Sequence, residues 1–376
     1  MNRVYINSIA KFLPNEPISN SEMEDVLGKI GGKPSRARRI VLRSNGIKQR
    51  YYVIDKEQNI IYNNAQITAL AIRDLDLDLD TIECLACGTT IPDQIMPNHA
   101  VMVHGELASA PCEVIATAGI CLSGITALKH AYLSVKSEES RIAVATGSEV
   151  ASTILHAKNF KRESEISEEE FAKRPEIAFE KDFLRWMLSD GAGAMLLRDR
   201  PNSSGISLEI QWIEISSFAN ELEVCMYAGA KKIDGELVGY REFSQEEWLA
   251  DSLFSIKQDV KLLNDKVVKT TVERTLKRAL KKRELSASEV DWFLPHYSSE
   301  YFRDEVYKSL KKIDFEIPQE KWFTNLSKCG NTGSASIYIM LEELFHSNRL
   351  SIGEKILCYV PESGRFSSSF MLLEVV

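Results

Sequence analysis

The stretch that decides the fold is EVIATAGICLSGITALKHAYLSVKSEESRIAVATGSEV, residues 113–150. Its pattern predicts a buried strand over 113–118, a tight turn over 119–124 that carries Cys121, an amphipathic helix over about 125–135, and a second buried strand over 142–145. This order of elements is typical of a βαβ unit. The sequence therefore predicts an α/β fold with a thiol at the start of a helix.

Cys121 is the leading candidate for a covalent catalyst. Small residues around its turn let other groups approach closely, and the unpaired N–H groups at the start of a helix favour an anion. Because the thiolate is the nucleophilic form of cysteine, a helix start suits a reactive one. Free cysteine is also among the most buried residue types, so the turn by itself leaves a structural role open.

The composition indicates a globular protein large enough to be an enzyme. The 376 residues are 44% hydrophobic and 27% charged, which suits two ordinary domains or one large layered unit. With 46 Lys and Arg against 54 Asp and Glu, the formal charge of −8 argues against non-specific nucleic-acid binding. Neither a signal-peptide pattern nor a membrane-spanning apolar run is present, and we expect a cytoplasmic protein.

The cysteines indicate neither a disulfide framework nor a zinc finger. There are seven, spread from Cys84 to Cys358, which suits a reducing compartment. The CxxC pair Cys84 and Cys87 lacks a second ligand pair at zinc-finger spacing, which favours a structural role. DGAG at 190–193 lacks the Lys and Ser/Thr of a phosphate-binding loop. We expect no metal and no tightly bound cofactor.

Two polar stretches stand out from the α/β pattern. Residues 33–53 are rich in arginine and form either a solvated surface or an anion-binding lip. Residues 159–186 are heavily charged and lack strand periodicity. We predict that this second stretch is a helical insertion that shapes a tunnel or a dimer surface.

The chain divides into two α/β halves, 1–205 and 206–376. Each half has a small-residue turn that opens a largely apolar helix, GICLSGITAL at 119–128 and KCGNTGSASI at 328–337. If the halves pack about a pseudo-twofold axis, both helices start near the centre and Cys121 can meet Asn331. His296, at the end of the strand DWFLPH, can join them from the second half.

These motifs, in this order, resemble those of a ketoacyl-ACP synthase III type condensing enzyme of the thiolase superfamily. They are IVLRSNGIKQR, TTIPDQIMP, the Cys121 turn, LSDGAGAMLL, WFLPHYSS and CGNTGSASI, and they span nearly the whole chain. The resemblance implies the thiolase fold, with five layers αβαβα built from two pseudo-symmetric halves. It also implies a homodimeric acyltransferase that takes thioesters of CoA or of acyl carrier protein (ACP).

The resemblance further implies a catalytic triad of Cys121, His296 and Asn331. Cys121 would carry the acyl group, while His296 and Asn331 would donate hydrogen bonds to the enolate oxygen of a second thioester. Backbone N–H groups of Cys121 and of the Ser363–Gly364 loop would hold the acyl carbonyl.

The resemblance also suggests where the donor binds. Arg43 falls where family members contact the phosphopantetheine or nucleotide end of the donor. A basic rim that includes Arg303, Lys308 and Lys311 would meet an acidic carrier protein, with solvated surface as the alternative for each of these residues.

The sequence departs from the family pattern at three places. These are Tyr297–Ser299 after the histidine, Leu122 and Ser123 before Gly124, and VPESGRFSSS at 360–369 in place of a glycine-rich loop. The last places Glu362 near the expected site. A buried carboxylate there can remove an α-proton, so Glu362 is a candidate general base for condensation without malonyl decarboxylation. A structural pairing with Arg365 or another arginine is the alternative.

We therefore predict Claisen condensation of acyl or β-ketoacyl thioesters through acyl-Cys121, in specialised lipid or polyketide biosynthesis of the dialkylresorcinol and pyrone kind. Three alternatives stay open at this point: malonyl-ACP-dependent initiation of fatty-acid synthesis, acyl transfer to an alcohol or amine, and a non-catalytic subunit that pairs with an active ketosynthase.

Overall fold

The computed structural model describes residues 2–35, 38–160 and 183–376 of the chain. A mixed sheet of nine strands forms its centre. The strands are β1 (Tyr5–Phe12), β2 (Cys84–Thr89), β3 (Glu113–Thr117), β4 (Ile142–Glu149), β5 (Gly191–Arg198), β6 (Leu208–Ser217), β7 (Trp292–Pro295), β8 (Lys355–Pro361) and β9 (Ser367–Val375). Short strands outside this sheet pair Ile18–Ser19 with Gln49–Arg50, Met226–Tyr227 with Lys257–Gln258, and Ala230–Ile233 with Glu236–Gly239.

The longer helices are α1 (Asn64–Arg73), α2 (His99–Leu107), α3 (Leu122–Lys136), α4 (Val260–Val268), α5 (Thr275–Leu280), α6 (Arg303–Lys312) and α7 (Ser336–Phe345). A π-helical segment, Lys269–Arg274, joins α4 to α5. Short helices are formed by Met23–Val26, Arg38–Ser44, Ser152–Leu155, Gln245–Ala250 and Leu326–Cys329. Side chains cap the first two long helices: Asn63 accepts from the Gln66 N–H at the start of α1, and Asn98 accepts from the Val101 N–H at the start of α2.

The strand order β7-β8-β9-β6-β1-β5-β4-β2-β3 contains a repeat. Strand β1 pairs with both β5 and β6, so the two halves of the chain share one hydrogen-bonded sheet. Outward from the seam between β1 and β6, each half has two antiparallel pairings followed by a parallel one. The predicted pseudo-symmetric halves are therefore present in the sheet.

Helices α3 and α7 form the middle layer. Helix α3 packs on β2 and β4 and reaches β8 and β9, while α7 packs on β1 and β5 and reaches β7. Helices α1 and α2 cover the other face of the first half, and α5 covers that of the second. The residues of the strands explain why helices pack on both faces of the sheet. In β2, Cys84 and Ala86 belong to the core around α3, whereas Leu85 and Cys87 belong to the core on the other face, so both faces of the strand are apolar. The predicted five layers are confirmed.

The stretch 113–150 forms the predicted βαβ unit, with differences in detail. Strand β3 lies at the edge of the sheet and is partly exposed instead of buried, because among the described strands it pairs with β2 alone. Helix α3 begins at Leu122, immediately after Cys121, and β4 extends past Ala145 to Glu149. The extra length of β4 brings Glu149 to the functional site.

Most of the predicted insertion at 159–186 lies outside the described residues. Its described ends belong to the core, since Phe160 and Trp186 are buried. Among the helices of the described residues, none is long and apolar enough to cross a membrane.

Candidate active site

Cys121 occupies the N-cap position of α3, in a turn held by local hydrogen bonds. The preceding residue, Ile120, has a φ of 44°, a strained conformation for a β-branched residue. The Ser123 hydroxyl donates to the Ile120 carbonyl, and the Thr117 hydroxyl donates to the Ser123 carbonyl, both at 2.7 Å. These bonds hold the strained backbone next to the thiol.

The start of α3 meets the turn that precedes α7. A Cβ atom on Gly124 would lie 2.4 Å from the Ser334 carbonyl oxygen, and one on Gly147 would lie 2.3 Å from the same atom. Only glycine at positions 124 and 147 allows the Ser334 carbonyl to come this close to both residues. The Tyr338 hydroxyl donates to the Gly124 carbonyl at 2.8 Å. The two helix starts therefore meet near the centre of the molecule, as the sequence predicted.

Cys121, His296 and Ser363 line one buried pocket. The rest of its lining is mostly apolar and consists of Leu263, Val267, Val268, Tyr297, Ser298, Phe302, Val306, Tyr359 and Pro361. Its free volume is about 30 Å³, room for a water molecule or two. A long acyl chain can enter only if some of these side chains move.

Asn331 is buried in the turn before α7 and does not line this pocket. Its backbone N–H donates to the Met187 carbonyl at 3.0 Å, and its carbonyl accepts from the Ser189 N–H at 2.9 Å. Its side-chain oxygen accepts from the Gly333 N–H at 3.0 Å. The side-chain Nδ2 has no hydrogen-bond partner in the described chain, so this donor is available for another oxygen.

His296 follows β7 and is neutral at physiological pH. Its backbone N–H continues the sheet by donating to the Tyr359 carbonyl at 2.8 Å. Burial lowers the pKa of the imidazole to about 4. A neutral imidazole has one N–H that can donate to an enolate oxygen and one nitrogen that can accept a proton.

The surroundings of Cys121 hold its side chain as a thiol. Burial raises the pKa of the thiol well above its ordinary value, and the negative charges of Glu149 and Glu362 raise it further. The helix-start argument from the sequence favours the opposite direction. That argument left out the charge of Glu362, which comes from the loop after β8, and it missed Glu149, which comes from the end of β4.

Glu149 is the residue of the site that sequence reasoning missed. It is buried, and its Oε1 accepts from the Thr90 hydroxyl at 2.5 Å, the Thr90 N–H at 3.1 Å and the Ser334 N–H at 3.3 Å. Its Oε2 has no partner within the described residues. Burial raises the pKa of this carboxyl to about 7. The sequence carried one signal for Glu149, because it is an acidic residue at the carboxyl end of a buried strand, where ligands bind in α/β sheets.

Replacing Glu149 with glutamine is expected to lower the pKa of Cys121. Glutamine keeps an oxygen for Thr90 and Ser334 but removes the negative charge. In a Cys112→Ala background, which lacks the one partly exposed cysteine, iodoacetamide should alkylate Cys121 roughly tenfold faster at pH 8. Because the Glu149 carboxyl has a pKa of about 7, the difference should shrink as the pH falls below 7 and the carboxyl loses its charge.

The alkylation rate is measured by intact-protein mass spectrometry from pH 6 to 10. A rate increase at pH 8 that fades below pH 7 supports the electrostatic account, because Glu149 loses its charge there. An increase of the same size at every pH would mean that the substitution only exposes the thiol, and an unchanged profile would exclude an effect of Glu149 on Cys121.

Glu362 binds the backbone of its own loop. Its two oxygens accept from the N–H groups of Gly364, Arg365 and Ser367, the last at 2.9 Å. Glu362 forms no ion pair with an arginine of the described residues, and the guanidinium of Arg365 donates instead to the Leu222 carbonyl at 2.9 Å. Burial raises the pKa of Glu362, and the N–H groups partly offset this.

Because of these hydrogen bonds to Glu362, not every backbone N–H that was expected to form the oxyanion hole is available. The Gly364 N–H donates to Glu362 in this structure, so it is not free to hold an acyl carbonyl. Ser363 lines the pocket beside Cys121 and is the residue of this loop placed to do so.

The predicted donor-binding residues differ in their surroundings. Arg43 is exposed and makes no ion pair or hydrogen bond within the described residues. Arg303 is tied down, since it donates to Gln319 at 2.8 Å and lies over the Trp322 ring. Lys308 pairs with Glu305 at 2.8 Å, and Lys311 pairs with Glu316 at 3.7 Å. Both lysines of the predicted basic rim are thus paired with a glutamate, Lys308 with one inside α6 and Lys311 with one just beyond its end.

Two family models match the chain in the order of its halves. The N-terminal domain of beta-ketoacyl synthase matches residues 88–202, which hold Cys121 and Glu149. The C-terminal domain of 3-oxoacyl-[acyl-carrier-protein] synthase III matches residues 280–369, which hold His296, Asn331 and Glu362. Together they span more than half of the chain. The chain belongs to the ketoacyl synthase family of condensing enzymes. It is accordingly an acyltransferase.

Solved structures show the fold of this condensing enzyme. OleA of Xanthomonas campestris, solved with lauric acid and lauroyl-CoA, is 20% identical with a TM-score of 0.74, over 100% of this chain and 99% of that one. AbyA1, a tetronic acid condensing enzyme, is 18% identical with a TM-score of 0.75, over 99% of each chain. FabH of Pseudomonas aeruginosa is 16% identical with a TM-score of 0.73, over 99% of this chain and 98% of that one. The predicted thiolase fold is confirmed.

Proposed function

We propose that this condensing enzyme joins two acyl or β-ketoacyl thioesters by Claisen condensation through acyl-Cys121, in specialised lipid or polyketide biosynthesis such as that of dialkylresorcinols. The observation that carries the proposal is the buried, largely apolar pocket that Cys121 and His296 both line. The likeness to OleA, solved with lauroyl-CoA, supports a thioester with a long acyl group as a substrate, and the likeness to a tetronic acid condensing enzyme supports a condensation in specialised biosynthesis.

In the first step the Cys121 sulfur attacks the carbonyl carbon of the donor thioester. The new carbon–sulfur bond replaces the one to the donor thiol, and the thiol proton of Cys121 leaves with the departing thiol by way of the neutral His296. Since burial and two carboxylates disfavour the thiolate, proton transfer accompanies the attack. Acylation leaves the sulfur uncharged, so the two carboxylates do not disfavour the acyl-enzyme.

In the second step the α-carbon of the other thioester attacks the carbonyl carbon of acyl-Cys121. The α-proton passes to Glu362 and finally to the departing Cys121 sulfur, which restores the thiol and leaves a β-keto thioester. The N–H of neutral His296 stabilises the enolate oxygen, a type of contact whose loss costs 10²–10³-fold in other enzymes. The Nδ2 of Asn331, which has no partner within the described residues, adds a second donor where the substrate reaches past the pocket lining to the turn before α7. The chemistry needs only groups that this chain supplies.

Replacing Glu362 with glutamine is expected to separate two kinds of condensation. A malonyl donor forms its enolate by losing carbon dioxide and needs no base, whereas an acyl or β-ketoacyl donor must lose an α-proton. The variant should therefore condense β-ketoacyl-ACP at least about 100-fold more slowly and keep its rate of Cys121 acylation. Both rates are followed by mass spectrometry of single turnovers.

Two other results would count against this role of Glu362. An unchanged rate with β-ketoacyl-ACP would remove Glu362 as the base. An equal loss in acylation and in both condensations would show that the loop, whose N–H groups Glu362 binds, had been damaged. Glu149→Gln serves as the matched control, because it removes the other carboxylate that acts on Cys121.

Replacing Arg43 with alanine is expected to weaken recognition of the donor. Arg43 is exposed and has no ion-pair partner among the described residues, so its charge is available to a phosphate group of CoA or of phosphopantetheine. We expect kcat/KM for acylation to fall roughly three- to tenfold at low salt, and less at high salt, where the charge is screened. Lys308→Ala is the matched control, since Lys308 is already paired with Glu305. Equal losses in both variants would point to general surface charge.

We also propose that the enzyme is a homodimer. Strand β3 has no strand of the described chain on its outer side, and free strand edges are suited to pairing with a second copy. A monomeric mass in light scattering would exclude this.

The experiment that tests the function is intact-protein mass spectrometry after separate exposure to acyl-CoA, acyl-ACP and β-ketoacyl-ACP, followed by a second thioester. An acyl adduct that is discharged by a second acyl or β-ketoacyl thioester supports the proposal. Discharge by malonyl-ACP alone indicates fatty-acid initiation, and discharge by an alcohol or amine alone indicates simple acyl transfer. The lack of an adduct from any donor indicates a non-catalytic subunit.

A further inference from the structure

We propose that Cys84, Glu113 and His130 form a binding site for one divalent metal ion of the zinc class. The site is separate from the acylation site, because His130 lies nine residues along α3 from Cys121, about 13 Å at the rise of an α-helix. It joins β2 to two elements of the βαβ unit that carries the nucleophile, β3 and α3.

The three potential ligand atoms are already close together. Each lies within 4.8 Å of the other two, and the His130 Nε2 is 3.7 Å from the Glu113 Oε1. Ligand atoms around a tetrahedral zinc ion are roughly 3.3–3.7 Å apart, given bonds of about 2.0–2.3 Å. Small side-chain rotations are therefore enough to bring all three onto one ion.

The backbone holds these residues in place without the ion. Cys84 and Glu113 are direct partners in the parallel ladder between β2 and β3, and α3, which carries His130, packs on both strands. A site fixed by three packed elements loses little conformational entropy when it binds a ligand.

An unsatisfied ring nitrogen points to a missing ligand. The His130 Nε2 is buried but has no hydrogen-bond partner within the described residues, and its distance to Glu113 exceeds that of a hydrogen bond. Such an orphan atom in a buried position needs an explanation, and an ion is one of the usual ones. A metal ion would use this nitrogen directly.

The three ligand types match those that zinc prefers, and two of the three residues are partly exposed, so that an ion can reach them. Thiolate, imidazole and carboxylate are the three ligand types that zinc takes in proteins, and water completes the four-coordinate shell. Cys84 is fully buried, while the side chains of Glu113 and His130 are 51% and 38% exposed. In the single chain the ion can therefore arrive from solvent through the two outer ligands. As the metal–sulfur bond forms, the Cys84 thiol releases its proton to solvent.

The spacing of the three ligands along the sequence could not indicate this metal site. The CxxC motif pairs Cys84 with Cys87, which belongs to the core on the opposite face of β2. The partners of Cys84 come from residues 29 and 46 positions further on, brought to it by the sheet register and by the packing of α3.

The test is a titration of the purified full-length, metal-free protein with Co²⁺ alone, followed by Zn²⁺. We expect one equivalent of Co²⁺ to give an intense near-ultraviolet thiolate-to-cobalt band and visible bands of tetrahedral cobalt, which Zn²⁺ removes. Cys84→Ala should lose the ultraviolet band. His130→Asn and Glu113→Gln, at partly exposed positions, should weaken binding at least tenfold and abolish stabilisation by Zn²⁺ in thermal unfolding.

Cys112→Ala is the matched control, because it removes the neighbouring partly exposed thiol and should leave one-equivalent binding intact. The inference is overturned if no saturable cobalt band appears, if the band survives in Cys84→Ala, or if His130→Asn binds like the unaltered protein. Because His130 is partly exposed, its variant tests the site even if Cys84→Ala does not fold. None of these measurements depends on the proposed condensation.

Discussion

Replacing Cys121 with alanine is expected to abolish acylation and to reduce condensation by at least about 10⁴-fold. The thiol is the only group in the pocket that can form a thioester with the acyl chain, and removal of a catalytic nucleophile typically has effects of this size or larger. The remaining pocket, with His296 and the apolar lining, is left intact. The variant should therefore still bind the donor while forming no covalent adduct.

The measurement is intact-protein mass spectrometry after exposure to acyl-CoA and acyl-ACP, together with single-turnover rates. Cys112→Ala is the control, because Cys112 is the cysteine with the greatest exposure and the one most open to adventitious acylation. An adduct that persists in Cys121→Ala but disappears in Cys112→Ala would assign the acylated thiol elsewhere. Unchanged turnover in Cys121→Ala would reject the covalent mechanism.

Replacing Gly124 with alanine is expected to damage both the fold and the site. The added Cβ would lie 2.4 Å from the Ser334 carbonyl oxygen and 3.0 Å from the Tyr338 ring. The Ser334 carbonyl belongs to the backbone and cannot rotate away from the added Cβ. Helix α3 must therefore separate from the turn that carries Asn331. Overpacking lowers the free energy of unfolding by about 1–3 kcal/mol, and a clash with backbone lies at the upper end of this range. Condensation should fall together with stability, since Cys121 and Asn331 lie on the two sides of the contact.

The control for this variant is Gly105→Ala in α2. A Cβ there would meet nothing within 4 Å, so this substitution should leave stability unchanged or raise it by roughly 0.5–1 kcal/mol. Thermal unfolding compares the two variants, with an expected fall of several degrees for Gly124→Ala only. If both variants unfold like the parent, the close contact between α3 and Ser334 does not hold in solution.

Local patterns in the sequence predicted much of the architecture. The stretch 113–150 predicted a βαβ unit because its apolar runs have strand and helix periodicity and its small residues permit only a tight turn. The similar turns at 119–124 and 330–333 predicted two halves, which the sheet repeats on either side of its β1–β6 seam. Both predictions depend on short-range order, which neighbouring residues encode directly.

Other properties depend on contacts between residues far apart in the chain. The edge position of β3 depends on which strand pairs with it, so its apolar run was mistaken for a buried strand. The thiol state of Cys121 depends on Glu149 and Glu362, and a helix start alone predicted the opposite direction. The role of Glu362 in binding its own loop became visible only with the backbone N–H groups around it.

By itself, the sequence determined the type and order of the elements, the two-half design and the residues with reactive side chains, because periodicity, turn chemistry and residue type are local. The tertiary structure alone decided which of those residues share an environment. Burial and distance set the pKa of Cys121, gave Glu149 a place beside it, and brought Cys84, Glu113 and His130 together. These quantities depend on the packing of whole layers, which no short stretch of sequence contains.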